Sequence, residues 1–351
     1  MMDSTLEFSR QKEDLVRTVR SLQVASQNTL QKAVPLLSSQ PGLGLLKPSH
    51  VHQLSKKTTQ VCRELEDVGN LLLFRQDELA QKISVPGNGG ASSLHWCSDG
   101  TLYVCGDNGP YIHLLNSHGK TTQTFHCCDD VLFLPDCVTM TRFGAVAVTD
   151  ISEGLVRIYS PNSHPPWIKV GGIFKSPKGI AVDSSGRLLV AEYTSGEVQA
   201  FHVDRANRIH GVKKVLGLRG PQYICSTPDG RFAVSEECGD VKLFTANLKL
   251  SGSLSETYQH EFGNPTGICS DPEGNILVAD VQKRNITLFP PSGSPICIVS
   301  QGLCKPTGIT CSHFGLLYVA DSGDNCVKVY KYRAKPYYTP VSPRRSGEAP
   351  S

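Results

Sequence analysis

PTGICSDPEGNILVADVQKRNITLF occupies residues 265–289, and PTGITCSHFGLLYVADSGDNCVKVY occupies residues 306–330. Both write one phrase: a proline, an apolar run, a glycine turn, a second apolar run ending in an acid, and a third ending in an aromatic. The turn glycine recurs at Gly100, Gly144, Gly186, Gly230, Gly274 and Gly315, with gaps of 44, 42, 44, 44 and 41 residues. Nine residues before it stand Pro135, Pro177, Pro221, Pro265 and Pro306, with Ala91 breaking the rule in the first copy. Six or seven residues after it comes an acid: Asp107, Asp150, Glu192, Glu236, Asp280 or Asp321. Self-similarity at such a period marks a repeat architecture.

The runs in each copy, such as GIAV, LLVAE and VQAF, are rich in Val, Ile and aromatics and are separated by turn residues, so they read as strands. Glycine supplies the positive φ of a tight hairpin, and proline sets a fixed φ where one copy hands over to the next. A looser fourth run (WIKVGG, KKVLG, ICIVS) completes four strands per copy, which is the make-up of a propeller blade. The expected fold is therefore mainly β, a six-bladed propeller over residues 83–332. The last copy lacks a fourth run of its own, and residues 79–85 have no other place. That stretch is expected to supply the outer strand of the sixth blade, because closing the ring removes exposed edges.

Residues 1–82 lack the repeat and read as a helical, coiled-coil-like arm with helices at about 4–34 and 49–77. From Val51 the apolar positions Leu54, Val61, Leu65, Val68 and Leu72 follow a heptad seam interrupted only by Thr58. The seam suits either an oligomerising coil or a helical hairpin packed on itself or on the propeller. Residues 333–351 are Pro- and Ser-rich and read as a disordered tail.

A net charge of +3 is too small a surplus to imply a nucleic-acid or membrane partner. The acidic start MMDSTLEFSRQKEDL does not resemble a secretory signal, and no apolar stretch is long enough to span a bilayer. A cytoplasmic or nuclear protein is expected. The thirteen cysteines include no C-x-x-C pair, so a zinc ribbon or RING finger has no ligands. Several, such as Cys225 and Cys269, fall inside strand runs, and reduced thiols are expected.

The phrase P-x-G-I-x-x-x-x-x-G-x-x-x-V-A-D with a following V-x-V and an aromatic resembles the NHL repeat over residues 91–332. The first two copies depart from it most, with Ala91 for proline and Cys137 for glycine. The closing GLCKPTGITCSHFGLLYVADSGDNCVKVYKY is similar to the end of tripartite-motif NHL proteins. The resemblance implies a propeller that holds a partner and a place in the ubiquitin pathway, as a substrate-recruiting component without its own RING. It also implies a rival reading, since NHL propellers of some regulators bind single-stranded RNA.

The six acids that end the second strands would all reach one face. A ring of carboxylates could hold a cation, but a feature repeated in every blade is expected to be scaffold, capping the following turn through backbone N–H groups. A lactonase or lyase would need metal ligands converging on the axis, and just after the proline position the chain offers Ser92, Asp136, Lys178, Gln222, Thr266 and Thr307. One carboxylate in that set does not make a calcium site. No catalytic residue, metal or cofactor is therefore expected.

RNA binding needs a basic track with stacking aromatics. The segments between second and third strands carry eleven acids against Lys283 and Arg284, and such an excess would repel phosphate. The expected use of this face is protein recognition, with Lys178, Tyr193, Arg219, Tyr223, Lys283 and Arg284 as candidate contacts.

Overall fold

The computed structural model describes residues 73–87, 90–106, 109–126, 133–159, 167–170, 174–205 and 208–334, with positions 56, 57, 59–61, 64 and 67. Those residues form six antiparallel sheets of four strands each. Blade one holds β2 (Ala91–Trp96), β3 (Leu102–Gly106), β4 (Tyr111–Leu115) and β5 (Thr121–His126). Blade two holds β6 (Pro135–Met140), β7 (Val146–Asp150), β8 (Leu155–Tyr159) and β9 (Trp167–Val170). Blade three holds β10 (Pro177–Val182), β11 (Arg187–Glu192), β12 (Glu197–Val203) and β13 (Ile209–Leu216). Blade four holds β14 (Pro221–Ser226), β15 (Phe232–Glu236), β16 (Val241–Phe244) and β17 (Leu250–Ser253). Blade five holds β18 (Pro265–Ser270), β19 (Ile276–Asp280), β20 (Asn285–Phe289) and β21 (Ile296–Val299). Blade six combines β22 (Pro306–Cys311), β23 (Leu316–Asp321) and β24 (Cys326–Lys331) with β1 (Leu79–Ser84) from the start of the propeller.

The second strands are buried along almost their whole length, the closing acid included, because both their faces are covered, one by each neighbouring blade. Every residue of β7, β15 and β19 is buried. The core accordingly divides into clusters that sit between blades. Ala181, Leu189 and Val198 of blade three meet Ile224, Phe232 and Phe244 of blade four, and Cys269, Leu277 and Ile286 of blade five meet Ile309, Leu317 and Val319 of blade six.

The first strands press backbone to backbone around the axis, which explains the glycine after the repeat proline. A β-carbon at Gly179 would lie 2.6 Å from the Gln222 carbonyl oxygen, and one at Gly267 only 2.0 Å from that of Thr307. Side-chain hydroxyls stitch the same ring, donating from Ser92 to the Asp136 carbonyl at 3.2 Å, from Thr266 to Pro306 at 3.1 Å and from Thr307 to Ala91 at 3.0 Å.

Closure occurs where the repeat left a gap. Strand β1 runs antiparallel to β24, with Leu79 opposite Tyr330 and Ser84 opposite Cys326. The tie extends further than residues 79–85. Phe74 forms a bridge with Arg333 and stacks its ring on Tyr332 at 6.3 Å between centroids, and the Ala334 N–H reaches the Leu73 carbonyl at 2.9 Å. Asp77 accepts the N–H and hydroxyl of Ser300 at 2.7 and 2.6 Å. Placing the start of the propeller at residue 83 is thus corrected to residue 73, and a helix through residue 77 is excluded because Phe74 to Asp77 bind the sheets of blades five and six. Arg333 belongs to the propeller and not to a tail, with an ion pair to Glu273 at 2.9 Å.

Of the arm, the described positions between 56 and 67 are helical. Val61 is 52% exposed, whereas Val51, Leu54, Leu65, Val68 and Leu72 lie outside the described residues, as does most of the tail. Asp67 accepts the N–H and hydroxyl of Ser294 at 2.8 and 3.0 Å, joining the arm to blade five. A short helix absent from the repeat phrase, α1 (Leu254–Tyr258), follows β17, and its N-cap Ser253 accepts the Glu256 N–H. The Ser253-x-x-Glu256 pattern is the sequence signal for it. Among the described residues no helix is long and apolar enough to cross a membrane.

Removing residues 1–86 should lower the melting temperature markedly, whereas removing residues 1–72 should leave the propeller intact. Phe74→Ala should cost about 3 kcal/mol for loss of a buried aromatic. Scanning calorimetry decides this: equal melting temperatures for the two truncations would rule out closure by the N-terminal strand.

Candidate functional site

In blades two to six, the acid ending the second strand lies directly across from the proline opening the first, as in Asp150 opposite Pro135 and Asp321 opposite Pro306. From there its carboxylate reaches the N–H groups of the loop entering the blade. Glu192 accepts Ser176 at 2.7 Å, and Glu236 accepts Arg219 at 2.7 Å. Asp280 takes Gly263 and Asn264 at 2.6 and 3.0 Å, and Asp321 takes Cys304 and Lys305 at 2.9 and 2.7 Å. The same groups cap the turn that follows: Asp280 also accepts Gln282 and Lys283 at 3.1 and 2.9 Å. Asp150 binds the Ser152 N–H and hydroxyl at 3.0 and 2.6 Å. Asp107 lies outside the described residues.

This arrangement changes the charge of the loop face. Asp150, Glu192, Glu197, Glu236, Asp280 and Asp321 are all buried, and many acids of these segments meet cations from strands that a loop-by-loop count omits. Arg157 pairs with Asp150 at 2.7 Å, Lys169 with Glu153 at 2.7 Å, Lys214 with Glu197 at 2.8 Å and Lys328 with Asp321 at 2.6 Å. Lys242 and Lys82 lie 3.5 Å from Asp240 and Asp324. The expected strongly acidic face is corrected to a nearly balanced one, because the third and fourth strands turn basic residues toward the acids of the second strands and of the loops that follow them. Lys328, enclosed by Asp321 and Asp324, has its pKa raised despite burial, so it stays charged.

The candidate contacts do not form one cluster. Tyr193, on the turn after β11, donates its hydroxyl to Glu237 of blade four, and its ring lies against Gly220, where a β-carbon would be 3.0 Å from it. Exposed Arg219 immediately precedes Gly220, whose carbonyl accepts the Glu237 N–H at 3.0 Å, so Tyr193, Arg219 and Glu237 lie together where blades three and four join. Lys178 sits apart, 3.3 Å from Asp136. Lys283 donates to the Glu261 carbonyl, and Arg284 is exposed with φ 53°. Sequence reasoning passed over Tyr111, Leu134 and Leu216, which are 41%, 40% and 70% exposed. The first opens β4, the second precedes β6 and the third ends β13, so all three lie on the loop face. Their signal was an apolar residue at a strand end where the repeat does not need one.

Tyr223 is corrected outright: it is not a loop residue. It stands in β14 at the place occupied by Gly179, Gly267 and Gly308 in other blades, and its hydroxyl donates 2.9 Å to the Ser92 carbonyl of blade one, directly across the ring. With no neighbouring backbone able to accommodate a ring at that site, the phenol turns into the axial channel. A cavity of about 350 Å³ follows the axis there, lined by Ser93, His95, Thr139, Tyr223, Cys225 and Cys269 among others. Among the described residues no carboxylate or cation lines it, and burial pushes the His95 pKa down to about 4, so this imidazole is neutral. Among the described residues no group of three His, Cys, Asp or Glu side chains is placed to share a metal ion.

Tyr223→Phe should cost about 1 kcal/mol through the lost hydrogen bond, and Tyr223→Ala more, measured by urea unfolding; unchanged stability in both would refute the crossing. A second expectation concerns pH. Burial pushes the Glu192 carboxyl up, but the Ser195 hydroxyl and the N–H groups of Ser176, Ser195 and Thr194 outweigh it and hold the pKa below the ordinary value. A group lowered in this way stabilises the fold above its unfolded value, about 4.3, and loses that contribution as pH falls through the folded value. Glu192→Gln should therefore be less stable at pH 7 by about 1–3 kcal/mol, with the gap narrowing below about pH 4. A pH-independent gap would refute the assignment.

The NHL repeat model matches residues 174–201. NHL-repeat-containing protein 4 of Mus musculus is 52% identical over 34% of this chain and 87% of its own length. The E3 ubiquitin-protein ligase TRIM32 of Mus musculus is 25% identical over 59% of this chain and 34% of the ligase. The human E3 ubiquitin-protein ligase NHLRC1 is 25% identical over 66% and 64% of the two chains. Among solved structures, a virginiamycin B lyase from Staphylococcus aureus superposes with a TM-score of 0.55 at 14% identity, covering 73% of this chain and 88% of the lyase. A gluconolactonase from Xanthomonas campestris gives 0.57 at 10% identity, covering 72% and 98%. At such identities the likeness is one of fold alone.

Proposed function

The chain belongs to the NHL-repeat proteins, and we propose that its propeller is a non-enzymatic module that holds a protein partner on the loop face of blades one to four. One observation carries this reading: Tyr111, Leu134 and Leu216 expose large apolar surface on the same loop face that carries Tyr193, Arg219 and Glu237. Apolar anchors among tyrosine, arginine and paired charges are the composition of protein interfaces. The likeness to TRIM32 and NHLRC1 supports a substrate-recruiting role in the ubiquitin pathway. Lacking the cysteine spacing of a RING, such a component would depend on another protein for transfer of ubiquitin. The helical arm would dimerise the protein or dock it on another coil, in cytoplasm or nucleus.

RNA binding remains the second reading, favoured by the charge balance of the face, which removes the repulsion that the loop sequences alone suggest. It lacks a continuous aromatic track, since Tyr111 and Tyr193 stand on blades one and three. A lactonase or lyase activity is least supported, because the uncharged axial lining offers neither a cation site nor a general base of ordinary basicity.

Proximity labelling followed by pull-down with the full chain tests the first reading. Leu134→Ser with Tyr193→Ala should reduce partner recovery tenfold or more, the scale of hot-spot loss, while stability changes by no more than about 0.5 kcal/mol. RNA binding should be weak, salt-suppressed and indifferent to base sequence, with Kd of roughly 10⁻⁴ to 10⁻⁶ M. Nanomolar, sequence-selective RNA binding lost in Lys283→Glu with Arg284→Glu would replace the protein reading with the RNA one.

A further inference from the structure

The ten described cysteines are free thiols, and one pair of them is placed unlike the rest. Cys269 of β18 and Cys311 of β22 face each other across the junction of blades five and six, with sulfurs 3.2 Å apart. Their register follows from the repeat. The fifth residue of each first strand turns toward the following blade and the sixth toward the preceding one, as the clusters between blades show. Only here do the two facing positions both hold cysteine. At the other junctions the same register places His95 with Met140, Thr139 with Val182, Ala181 with Ser226, Cys225 with Ser270, and Thr310 with Trp96.

A second observation is independent of the sulfurs. Of the three glycines at the inner ring, Gly267 meets the tightest approach, 2.0 Å from a virtual β-carbon to the Thr307 carbonyl oxygen, against 2.6 Å at Gly179 and 2.7 Å at Gly308. The backbones of β18 and β22 are thus already pressed together two residues before Cys269. The sulfurs need to close only from 3.2 Å to the roughly 2.05 Å of a disulfide. Access exists as well, because Cys269 lines the axial cavity and Cys311 is only partly buried.

We propose that Cys269 and Cys311 are a modification site at which a low-molecular-weight disulfide such as glutathione disulfide installs a covalent staple between blades five and six. The Cys311 thiolate attacks one sulfur of the oxidant, forming a mixed disulfide and releasing one thiolate. The Cys269 sulfur then attacks the Cys311 sulfur, the second glutathione leaves as thiolate, and the released thiolates take up the two protein thiol protons. Two protein thiols and one glutathione disulfide become one protein disulfide and two molecules of glutathione. Cys311 leads because it is the less buried of the two. The Cys269 thiol is pushed up by burial and by its contact with Cys311, so it keeps its proton while Cys311 reacts and follows as the second nucleophile. The staple would lock the junction of blades five and six near the rim opposite the loop face, making the packing of these two blades dependent on redox poise.

The test equilibrates the full chain in glutathione buffers of rising oxidised fraction, traps it with iodoacetamide after unfolding, and maps peptides by mass spectrometry. Modification of exposed Cys304 serves as the sign that oxidant has acted. The expected result is a linked peptide joining Cys269 and Cys311 in the wild type and in Cys225→Ser, absent in Cys269→Ser and Cys311→Ser. The melting temperature should rise on oxidation of the wild type and not of Cys311→Ser. Full alkylation of both residues in protein whose Cys304 has reacted, or a link from either one to Cys225, would overturn the proposal.

Discussion

Each blade of this protein buries its faces only against its neighbours, so the structure depends on the ring being closed. A four-stranded sheet with apolar residues on both faces is not stable alone, and a ring left open would expose one such face at each end. The pairing of β1 with β24 meets that constraint, and the chain reinforces it with Phe74 on Tyr332 and Asp77 on Ser300. Because the two ends of the domain meet in one sheet, unfolding of the first strand exposes the last blade. The closing segment carries the same kind of carboxylate–amide bond that each blade uses internally.

That bond accounts for the acid of the repeat. A proline has no N–H to give the sheet, so the loop residues before it present amide groups that the ladder cannot pair. The acid opposite the proline collects them, and burial of the carboxylate is tolerated where three or four donors surround it, as at Asp150, Glu192, Asp280 and Asp321. Glu236 takes the Arg219 N–H, and its second oxygen is buried without a partner among the described residues. In blades two and six a basic residue of the third strand completes the shell, Arg157 at Asp150 and Lys328 at Asp321. The acids therefore serve the frame of the loop face, and the surface left for recognition consists of other residues: Tyr111, Leu134, Tyr193, Leu216, Arg219 and Glu237.

The axis shows the same economy. Where the repeat has glycine the inner strands touch, and where blade four has Tyr223 the side chain crosses the channel and bonds to blade one. A departure from the repeat is thus placed where the packing of the other blades left space, and the remaining cavity is lined with apolar side chains, hydroxyls, thiols and one neutral imidazole.

The sequence by itself determined the number of blades, their strand order, the identity of the closing strand and the positions of the buried acids. All of these follow from local periodicity, in which turn glycines, prolines and apolar runs impose their geometry within about ten residues. It left open what lies across a blade junction. The cations that neutralise Asp150 and Asp321, the crossing of Tyr223 to Ser92, the meeting of Tyr193 with Glu237 and the facing of Cys269 by Cys311 join residues on different strands or different blades. A repeat phrase specifies the shape of one blade, whereas these contacts depend on the angle and register at which one blade packs on the next, and only the closed ring decides those.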